Sequence, residues 1–375
     1  MSKHLSLLPL MAAVCIFLSA CKPTGRTLPS ATGSIYECVV VTDQRCYDTV
    51  AAVMAADMPC LPQMEPYFTV SRVSPNLFDD FLKSARNVLL VDINPNRYTT
   101  SKAVYRRDYW SKPQAVCRLQ APDTAAFVHY WQQYGPTIRE WFVREELARQ
   151  IRFLRGSINK EVRTSLQQYF GCDMLIPEDY MLIMDTTLTV SATPHSTLRT
   201  NGGVSRSSSQ RTARCEVRVL WCCNAKGSIR RDLMVYTYPY TDTLTTDNLC
   251  FMRDEVMSRL VSGSVEGSFM GTEYKHFPPQ MRYVQPIEET MNPRETMETG
   301  EYRETMDSSH SFYAAELRGL WRLYGGEAMG GPFVSLTQVV DGDRILTAEA
   351  FIYAAGQKKR NALRQAEAIL YSFNS

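Results

Sequence analysis

The sequence lacks the short motifs that many hydrolases and nucleotide-binding proteins carry. It contains no Gly-x-Ser-x-Gly, no His-Glu-x-x-His and no Gly-Lys-Ser/Thr, which excludes the nucleophile turn, the zinc-binding helix and the phosphate loop that these motifs build. Histidine is scarce, at five of 375 residues, and no Cys-x-x-Cys pair occurs. We therefore predict no metal site and no cofactor.

The sequence also lacks an excess of charge of either sign. Lysine and arginine total 41, against 39 aspartate and glutamate residues. A chain without a global positive field has no electrostatic attraction to a polyanion, so we predict no nucleic-acid partner. Apolar residues make up 45% of the chain, which is enough for a sizeable core. At roughly 100 to 200 residues per domain, the length suggests two domains or one large domain with insertions.

A mostly apolar stretch, residues 5–18, follows a short basic start. It is shorter than the roughly 20 residues that a membrane-spanning helix needs, and it is typical of a secretory signal peptide. The four residues at its end, Leu18-Ser19-Ala20-Cys21, resemble the lipobox of bacterial lipoproteins. We predict a signal peptide at 1–20 and lipidation of Cys21, because several acyl chains at about 0.8 kcal/mol per methylene anchor a protein stably. An ordinary signal peptide with a chance cysteine and an uncleaved anchor are the alternatives.

Residues 21–33 are rich in proline, glycine and threonine, and we predict that they form a flexible lipidated tether. Lys22 follows the cysteine and no acidic cluster comes after it. By the sorting habits of such lipoproteins, this favours the outer membrane with the domain facing the periplasm. The predicted location is therefore the cell envelope, with the membrane contacted through the N-terminal lipid.

Nine of the 11 cysteines remain once Cys15 leaves with the signal peptide and Cys21 carries lipid. An odd number cannot pair completely within one chain. The periplasm permits disulfides, but several of these cysteines lie in apolar strand-like runs, where free cysteine behaves as a small buried hydrophobe. A disulfide framework is the alternative to our prediction of mostly buried thiols at Cys38, Cys46, Cys60, Cys117, Cys172, Cys215, Cys222, Cys223 and Cys250.

The pattern of apolar residues predicts two halves, at 34–190 and 215–375. A polar stretch at 191–214 is a disordered loop or a linker, and a second polar stretch at 286–310 is an insertion in the C-terminal half. In each half two strands, a pair of small residues and a helix follow one another, and the strands are 87–93, 113–119, 333–340 and 345–353. The predicted fold class is α+β, with two related halves of antiparallel-rich sheet and helices packed on one face.

Residues 123–170 are predicted to be helical, with breaks at Gly135-Pro136 and near Gly156. Glutamates are interleaved with five arginines along this segment, namely Arg139, Arg144, Arg149, Arg152 and Arg155. We interpret this face as solvated with local ion pairs, because the acids accompany the bases. A basic helix that binds a membrane or a polyanion is the alternative.

Seven short pieces spread over almost the whole mature chain carry a family resemblance. They are Pro62-Gln63-Met64-Glu65-Pro66, Arg86-Asn87, Trp110 with Pro113-Gln114, Arg253-Asp254, Gly319-Leu320-Trp321, Met329-Gly330-Gly331-Pro332-Phe333, and Lys359-Arg360 followed by Leu363-Arg364-Gln365-Ala366-Glu367-Ala368-Ile369. Together they resemble a family of Bacteroidetes lipoproteins catalogued as a domain of unknown function. The resemblance implies an anchored envelope protein and supplies no catalytic residues.

A glycine-rich stretch between two predicted strands is the first candidate site. Its residues of interest are Trp321, Gly325, Gly326, Gly330, Gly331 and Phe333. Because glycine permits positive φ and close backbone approach, the loop could cradle a ligand or meet a partner beneath the two aromatic side chains. A bulged connection between strands is the favoured alternative.

The first turn of the final helix is the second candidate site, since it carries Lys358, Lys359 and Arg360. The helix dipole already places partial positive charge there. One hypothesis is an anion site, in which free amides and these bases hold a phosphate or carboxylate. The favoured alternative is solvation or pairing with acids such as Asp341, Asp343 or Glu349.

These observations favour a non-enzymatic lipoprotein that binds an envelope protein or an anionic glycan or lipid. The alternative is an envelope hydrolase with a carboxylate acid/base pair drawn from Glu65, Asp254 and Glu316. Salt bridges to Arg86, Arg253 and Arg318 are the structural interpretation of those carboxylates. A hydrolase should present, in a cleft, a carboxyl group whose pKa is raised toward neutrality.

Overall fold

The computed structural model describes residues 27–192, 213–240, 243–285, 287 and 314–373. The predicted signal peptide, Cys21 and most of the two polar stretches lie outside these residues. Within this part of the chain, no helix is both long and apolar enough to cross a membrane. The described strands form two sheets, and helices pack against them in an α+β arrangement, which confirms the predicted fold class.

The first sheet has five strands in the order β2-β1-β3-β5-β4. They are β1 (Glu37–Val41), β2 (Thr69–Val73), β3 (Asn87–Ile93), β4 (Lys102–Arg107) and β5 (Ala115–Ala121). Strands β1 and β2, β1 and β3, and β3 and β5 pair in parallel, whereas β4 runs antiparallel to β5. The expectation of an antiparallel-rich sheet is therefore wrong for this half. A helix or a further strand returns the chain between each parallel pair, as such pairs require.

The helices of the described residues are α1 (Gln44–Met54), α2 (Thr124–Leu154), α3 (Lys160–Phe170), α4 (Thr246–Leu260) and α5 (Arg360–Leu370). Helix α2 runs through Pro136 without interruption, so the predicted break at Gly135-Pro136 is wrong. A Cβ atom at Gly135 would lie 2.9 Å from the ring of Trp131. Close packing of that buried ring therefore explains the glycine better than a helix end does.

The second sheet is antiparallel, in the order β10-β11-β12-β13-β8-β7-β6, and β9 also pairs with β11. Its strands are β6 (Met181–Ser191), β7 (Arg214–Asn224), β8 (Arg230–Pro239), β9 (Phe269–Thr272), β10 (Gln280–Val284), β11 (Ala314–Tyr324), β12 (Gly330–Val340) and β13 (Arg344–Tyr353). Strand β6 precedes the predicted boundary at 190 yet pairs with β7. The stretch at 191–214 therefore joins two neighbouring strands of one sheet and does not link two domains.

The two sheets share one core. Helix α2 packs on the inner face of the first sheet, α5 packs on the inner face of the second, and the two helices pack against each other, while α4 covers the far face of the second sheet. Helices thus lie on both faces of the second sheet, where one covered face was expected. The halves are not related repeats, because β3 and β5 pair in parallel whereas β12 and β13 form a hairpin. Three residues, 341–343, connect the two strands of that hairpin between the paired Val340 and Arg344, and Asp341 and Gly342 have positive φ angles of 56° and 78°.

Candidate functional site

A cleft of about 190 Å³ opens where α2 and the loop before β2 meet α5 and the edge of the second sheet. Half of its lining side chains are charged. The lining residues are Met58, Pro59, Tyr67, Glu140, Gln280, Met281, Arg282, Glu316, Arg318 and Arg364. We call this cavity the arginine-lined cleft.

Arg318 on β11 is the centre of the charge network in this cleft. Its Nε and Nη2 donate to the two carboxylate oxygens of Glu316 at 2.7 and 2.8 Å, and its Nη1 donates to Glu367 at 2.5 Å. Arg318 and Glu316 are two residues apart on one strand, so their side chains lie on the same face of the sheet. Since Glu367 belongs to α5, one guanidinium group joins the sheet to the helix.

Further donors complete the pairing of both buried carboxylates. Glu316 also accepts hydrogen bonds from Arg282 Nε and from the Tyr371 hydroxyl, each at 2.7 Å. The second oxygen of Glu367 accepts from Arg364 Nη1 at 2.7 Å. The side chains of Glu316 and Glu367 are fully buried, and buried charges need such partners.

Burial alone would raise the pKa of Glu316, but the guanidinium groups of Arg318 and Arg282 outweigh it and hold that pKa below its ordinary value. The pKa of Glu367 is lowered in the same way, against its burial, by Arg318 and Arg364. Both carboxylates therefore stay ionised at neutral pH, and neither has a proton to donate there.

The cleft retains hydrogen-bond donors. The side chain of Arg282 is 50% exposed at the rim, and the nearest oxygen of Glu140 lies 3.9 Å from its Nη1. Arg139 and Arg364 stack on Tyr67, at 4.0 and 5.5 Å from its ring centre. Arg364 lines the cleft, and its buried Nε has no hydrogen-bond acceptor among the described residues. The walls thus suit a group that brings acceptor oxygens.

The anion at the start of α5 is a carboxylate of the same chain. Glu65 Oε1 accepts the backbone N–H of Lys359 at 2.6 Å, and its Oε2 accepts that of Arg360 at 3.2 Å. Glu65 is buried, and Lys358 is exposed. Glu65 therefore binds the backbone amides of Lys359 and Arg360, where an external phosphate or carboxylate was the hypothesis. In the hydrogen bonds and ion pairs of the described residues, Asp341, Asp343 and Glu349 do not meet these bases.

The glycine-rich stretch forms the tight β11–β12 connection and its flanking pairs. Trp321 and Phe333 are buried, and Gly325 has a φ of 71° in the turn. Added Cβ atoms would fall 2.0 Å from the Ile352 carbonyl at Gly331, 2.7 Å from the Trp321 carbonyl at Gly330, and 2.8 Å from Ser268 Cβ at Gly326. Close backbone approach accounts for these glycines, and the arginine-lined cleft does not include them.

The three carboxylates of the hydrolase alternative lie apart. Glu316 pairs with Arg318, and Asp254 lies 3.4 Å from Arg253 and also accepts from the Tyr274 hydroxyl at 2.7 Å. Glu65 binds α5 instead of Arg86, whose partner is Glu146 at 2.8 Å. Two of the three expected salt bridges are therefore present.

The charged face of α2 is only partly solvated. Glu146 is buried and accepts from Arg86, Asn87 and Arg149, and Glu145 binds Arg107 of β4 at 2.9 Å. The interpretation of this face as solvated is wrong at these positions. The sequence could not show it, because the partners of the helix lie on strands some 40 to 60 residues away.

The prediction of mostly buried thiols is confirmed. All nine cysteines within the described residues are free, and Cys60 and Cys215 are the two that are not fully buried. Over the same residues, no three histidine, cysteine, aspartate or glutamate side chains converge to hold a metal ion.

Sequence reasoning missed Arg282, Arg364, Glu367 and Tyr371 as parts of one site. A signal was present in the last helix, because Arg364, Glu367 and Tyr371 follow one another at spacings of three and four. Such spacings place side chains on one helix face. Charged residues on a face that packs against a sheet point to a buried partner of opposite charge.

Comparisons with known proteins match the two parts of the chain separately. Residues 31–155 match a family model described as a domain of unknown function (DUF8532), and residues 203–372 match a second one (DUF4837). No curated protein and no solved structure matches the chain. The first match ends beside the last residue of α2, and the second contains β7 to β13 and α5. The expected resemblance to a catalogued domain of unknown function is thus confirmed, over two segments of this chain.

Proposed function

We propose that this protein is a cell-envelope lipoprotein, anchored through Cys21 at the periplasmic face of the outer membrane, which binds an oxyanion of another envelope molecule in the arginine-lined cleft. One observation carries the binding role: the guanidinium groups of Arg282, Arg318 and Arg364 line one cleft, and the buried carboxylates of Glu316 in it and Glu367 beside it already have their partners. The lipobox-like sequence at Cys21 supports the anchoring.

The volume of the cleft limits the size of the group that it can bind. At about 190 Å³, it has room for about six water molecules at roughly 30 Å³ each. Small-molecule pockets usually span about 300 to 1,000 Å³. The cleft therefore suits one carboxylate or phosphate group that projects from a larger molecule, since guanidinium binds either anion with paired hydrogen bonds.

The charges in the cleft support binding better than acid/base hydrolysis. A general acid at neutral pH needs a carboxyl group with a raised pKa, whereas the pKa values of Glu316 and Glu367 are lowered. Glu349, whose pKa is raised to about 7, packs on the far face of the second sheet against Arg253 of α4 and does not line the cleft.

We expect Arg282→Gln to weaken oxyanion binding about 10- to 100-fold, because a hydrogen bond to a charged group contributes about 1.5 to 3 kcal/mol. Calorimetric titration of the full-length protein in detergent with D-glucuronate, glycerol 3-phosphate and N-acetyl-aspartate measures this. The three probes represent an anionic glycan, a lipid headgroup and an acidic protein side chain.

Arg322→Gln is the matched control for that titration. Arg322 is 48% exposed and lies 3.0 Å from Glu273, much as Arg282 is 50% exposed and lies 2.7 Å from Glu316. The control should bind as the wild type does. Equal affinity of wild type and Arg282→Gln, or no binding of any probe, would contradict the proposed site. If a probe does bind, a photo-crosslinker at the exposed rim residue Gln280 would show whether the molecule bound there in cells is protein, glycan or lipid.

Cys21→Ala should abolish metabolic labelling with radioactive palmitate, because the thiol that carries the diacylglycerol is gone. The variant should also leave the outer-membrane fraction. Cys60→Ala is the control, since it removes the thiol of a partly exposed cysteine and should keep the label. Persistent labelling of Cys21→Ala would refute the anchoring.

A further inference from the structure

A cluster of exposed apolar side chains lies on the first half, and none of them lines the arginine-lined cleft. Leu77, Phe81 and Tyr109 are 65, 77 and 49% exposed. The ring of Trp110 lies 4.5 Å from that of Tyr109 and 5.5 Å from that of Phe78. We call these five residues the aromatic patch.

The aromatic patch is built on the face of the first sheet that no helix of the described residues covers. Phe78 and Trp110 pack there against Val41, Val88 and Val116. Trp110 is half-buried, so its ring rests on the sheet while its edge reaches the surface. The other three members, Leu77, Phe81 and Tyr109, are exposed to solvent.

The chain enters the domain beside this patch. The Lys112 N–H donates to the Pro29 carbonyl at 2.8 Å, and the Ala31 N–H donates to the Lys112 carbonyl at 3.0 Å. On the other side the Thr32 N–H donates to the Ser84 carbonyl at 2.8 Å. The N-terminal segment therefore runs between the two loops that carry the patch, and Leu28 on it is 40% exposed.

The length of the tether limits how far the patch can lie from a membrane. Thr27 is six residues after Cys21, and six residues of fully extended chain span at most about 20 Å. An acylated Cys21 would sit at the lipid headgroups, so Thr27 would lie within that distance of the bilayer, and the residues that follow it contact the two loops of the patch. Tyrosine and tryptophan prefer the interface between membrane and water.

We propose that the aromatic patch contacts the surface of the bilayer to which Cys21 is anchored, and so holds the domain in one orientation on the membrane. This inference rests on the proposed lipidation. The contact relies on apolar burial, because the lysines at its edge are paired with acids: Lys83 with Asp80 at 2.8 Å and Lys112 with Asp108 at 3.7 Å. Neutral and anionic bilayers should therefore serve equally well.

The protein carries a built-in probe of this contact. Of its five tryptophans, Trp131, Trp141, Trp221 and Trp321 are buried, and Trp110 alone reaches the patch. Full-length lipidated protein is inserted into phosphatidylcholine vesicles, and into vesicles with added phosphatidylglycerol, whose acyl chains are brominated near the headgroup. Bromine quenches tryptophan fluorescence on contact. We expect quenching in both vesicles, and Trp110→Phe should remove nearly all of it.

Two further variants separate the patch from the anchor. Leu77→Ala with Phe81→Ala should reduce the quenching, while Phe277→Ala, at an aromatic 44% exposed on the second half, should not. All variants should still float with the vesicles in a density gradient. Flotation without Trp110-dependent quenching would overturn the membrane-facing patch and leave lipidation standing. Failure of the wild type to float would overturn the lipidation and the patch contact together.

Discussion

Replacing Arg318 with methionine should lower the free energy of unfolding by about 3 to 5 kcal/mol, because it leaves two buried carboxylates without their shared partner. Glu316 would lose two hydrogen bonds and Glu367 would lose one. Methionine keeps much of the side-chain volume, so the loss reports charge pairing more than packing. Urea unfolding of the full chain measures the change.

Arg322→Met is the control on the same strand. Its side chain is 48% exposed where it pairs with Glu273, so water screens this arginine far more than it screens Arg318, and we expect a change within about 1 kcal/mol. A double-mutant cycle of Arg318→Met with Glu367→Gln should give a coupling energy above about 1 kcal/mol. A loss in Arg318→Met no larger than that of the control would show that the network does not stabilise the packing of α5 on the second sheet.

The loss in Arg318→Met should also depend on pH. Since the folded pKa values of Glu316 and Glu367 lie below their unfolded value of about 4.3, the stabilisation from their charge is present above that pH. It is lost as the pH falls through the folded pKa values. The difference in the free energy of unfolding between wild type and Arg318→Met should therefore become smaller below about pH 4.

Local patterns in the sequence predicted most individual elements of the fold. Strand β3 has the predicted bounds, strands β5, β12 and β13 overlap the predicted strands, and α2 and α3 fill most of the predicted helical stretch 123–170. Each of these depends on residues a few positions apart, so the pattern that specifies it is visible in one sequence. The prediction of mostly buried cysteines held for the same reason, because the surrounding apolar runs are local.

The arginine-lined cleft and the start of α5 could not be predicted, because their contacts join residues that are far apart in the sequence. Glu65 meets the start of α5 across 294 residues, and Arg282 meets Glu316 across 34 residues, with the 286–310 stretch between them. The unusual bases at the start of α5 did indicate an anion, but not that the anion was Glu65. Parallel pairing in the first sheet was missed because contacts between distant segments decide which strands pair, although the continuous apolar run at 88–91 is typical of a parallel strand.

Replacing Arg253 with methionine should be the second strongly destabilising change, at about 3 to 5 kcal/mol near neutral pH. Arg253 and Glu349 have fully buried side chains 2.9 Å apart, and the guanidinium stacks 3.8 Å above the ring of Phe333. Methionine retains contact with that ring but leaves the Glu349 carboxylate without its ion-pair partner. Arg259→Met is the control on the same helix, because Arg259 is 38% exposed and pairs with Glu255 at the surface.

The loss of stability in Arg253→Met should be smaller in acid, because Glu349 already has a raised pKa in the wild type. Burial raises the pKa of Glu349 to about 7, although Arg253 opposes the shift and Asp254 adds to it; the buried hydroxyl of Tyr236 is the other titratable group that faces Glu349. A folded pKa above the unfolded value of about 4.3 means that the contribution of Glu349 to stability is full below pH 4.3 and is lost as the pH rises to about 7. Without Arg253 the pKa of Glu349 rises further, so the variant should keep losing stability above neutral pH.

Unfolding of Arg253→Met at pH 5 and at pH 8 tests this, together with the double variant Arg253→Met, Glu349→Gln. The single variant should lose several-fold less free energy at pH 5 than at pH 8, because Glu349 is then protonated and carries no charge to bury. The double variant should recover much of the loss at pH 8 and show little dependence on pH, because glutamine does not ionise. An equal loss at both pH values, unchanged by Glu349→Gln, would mean that Arg253 stabilises the second sheet through its stacking on Phe333 and not through the charge of Glu349.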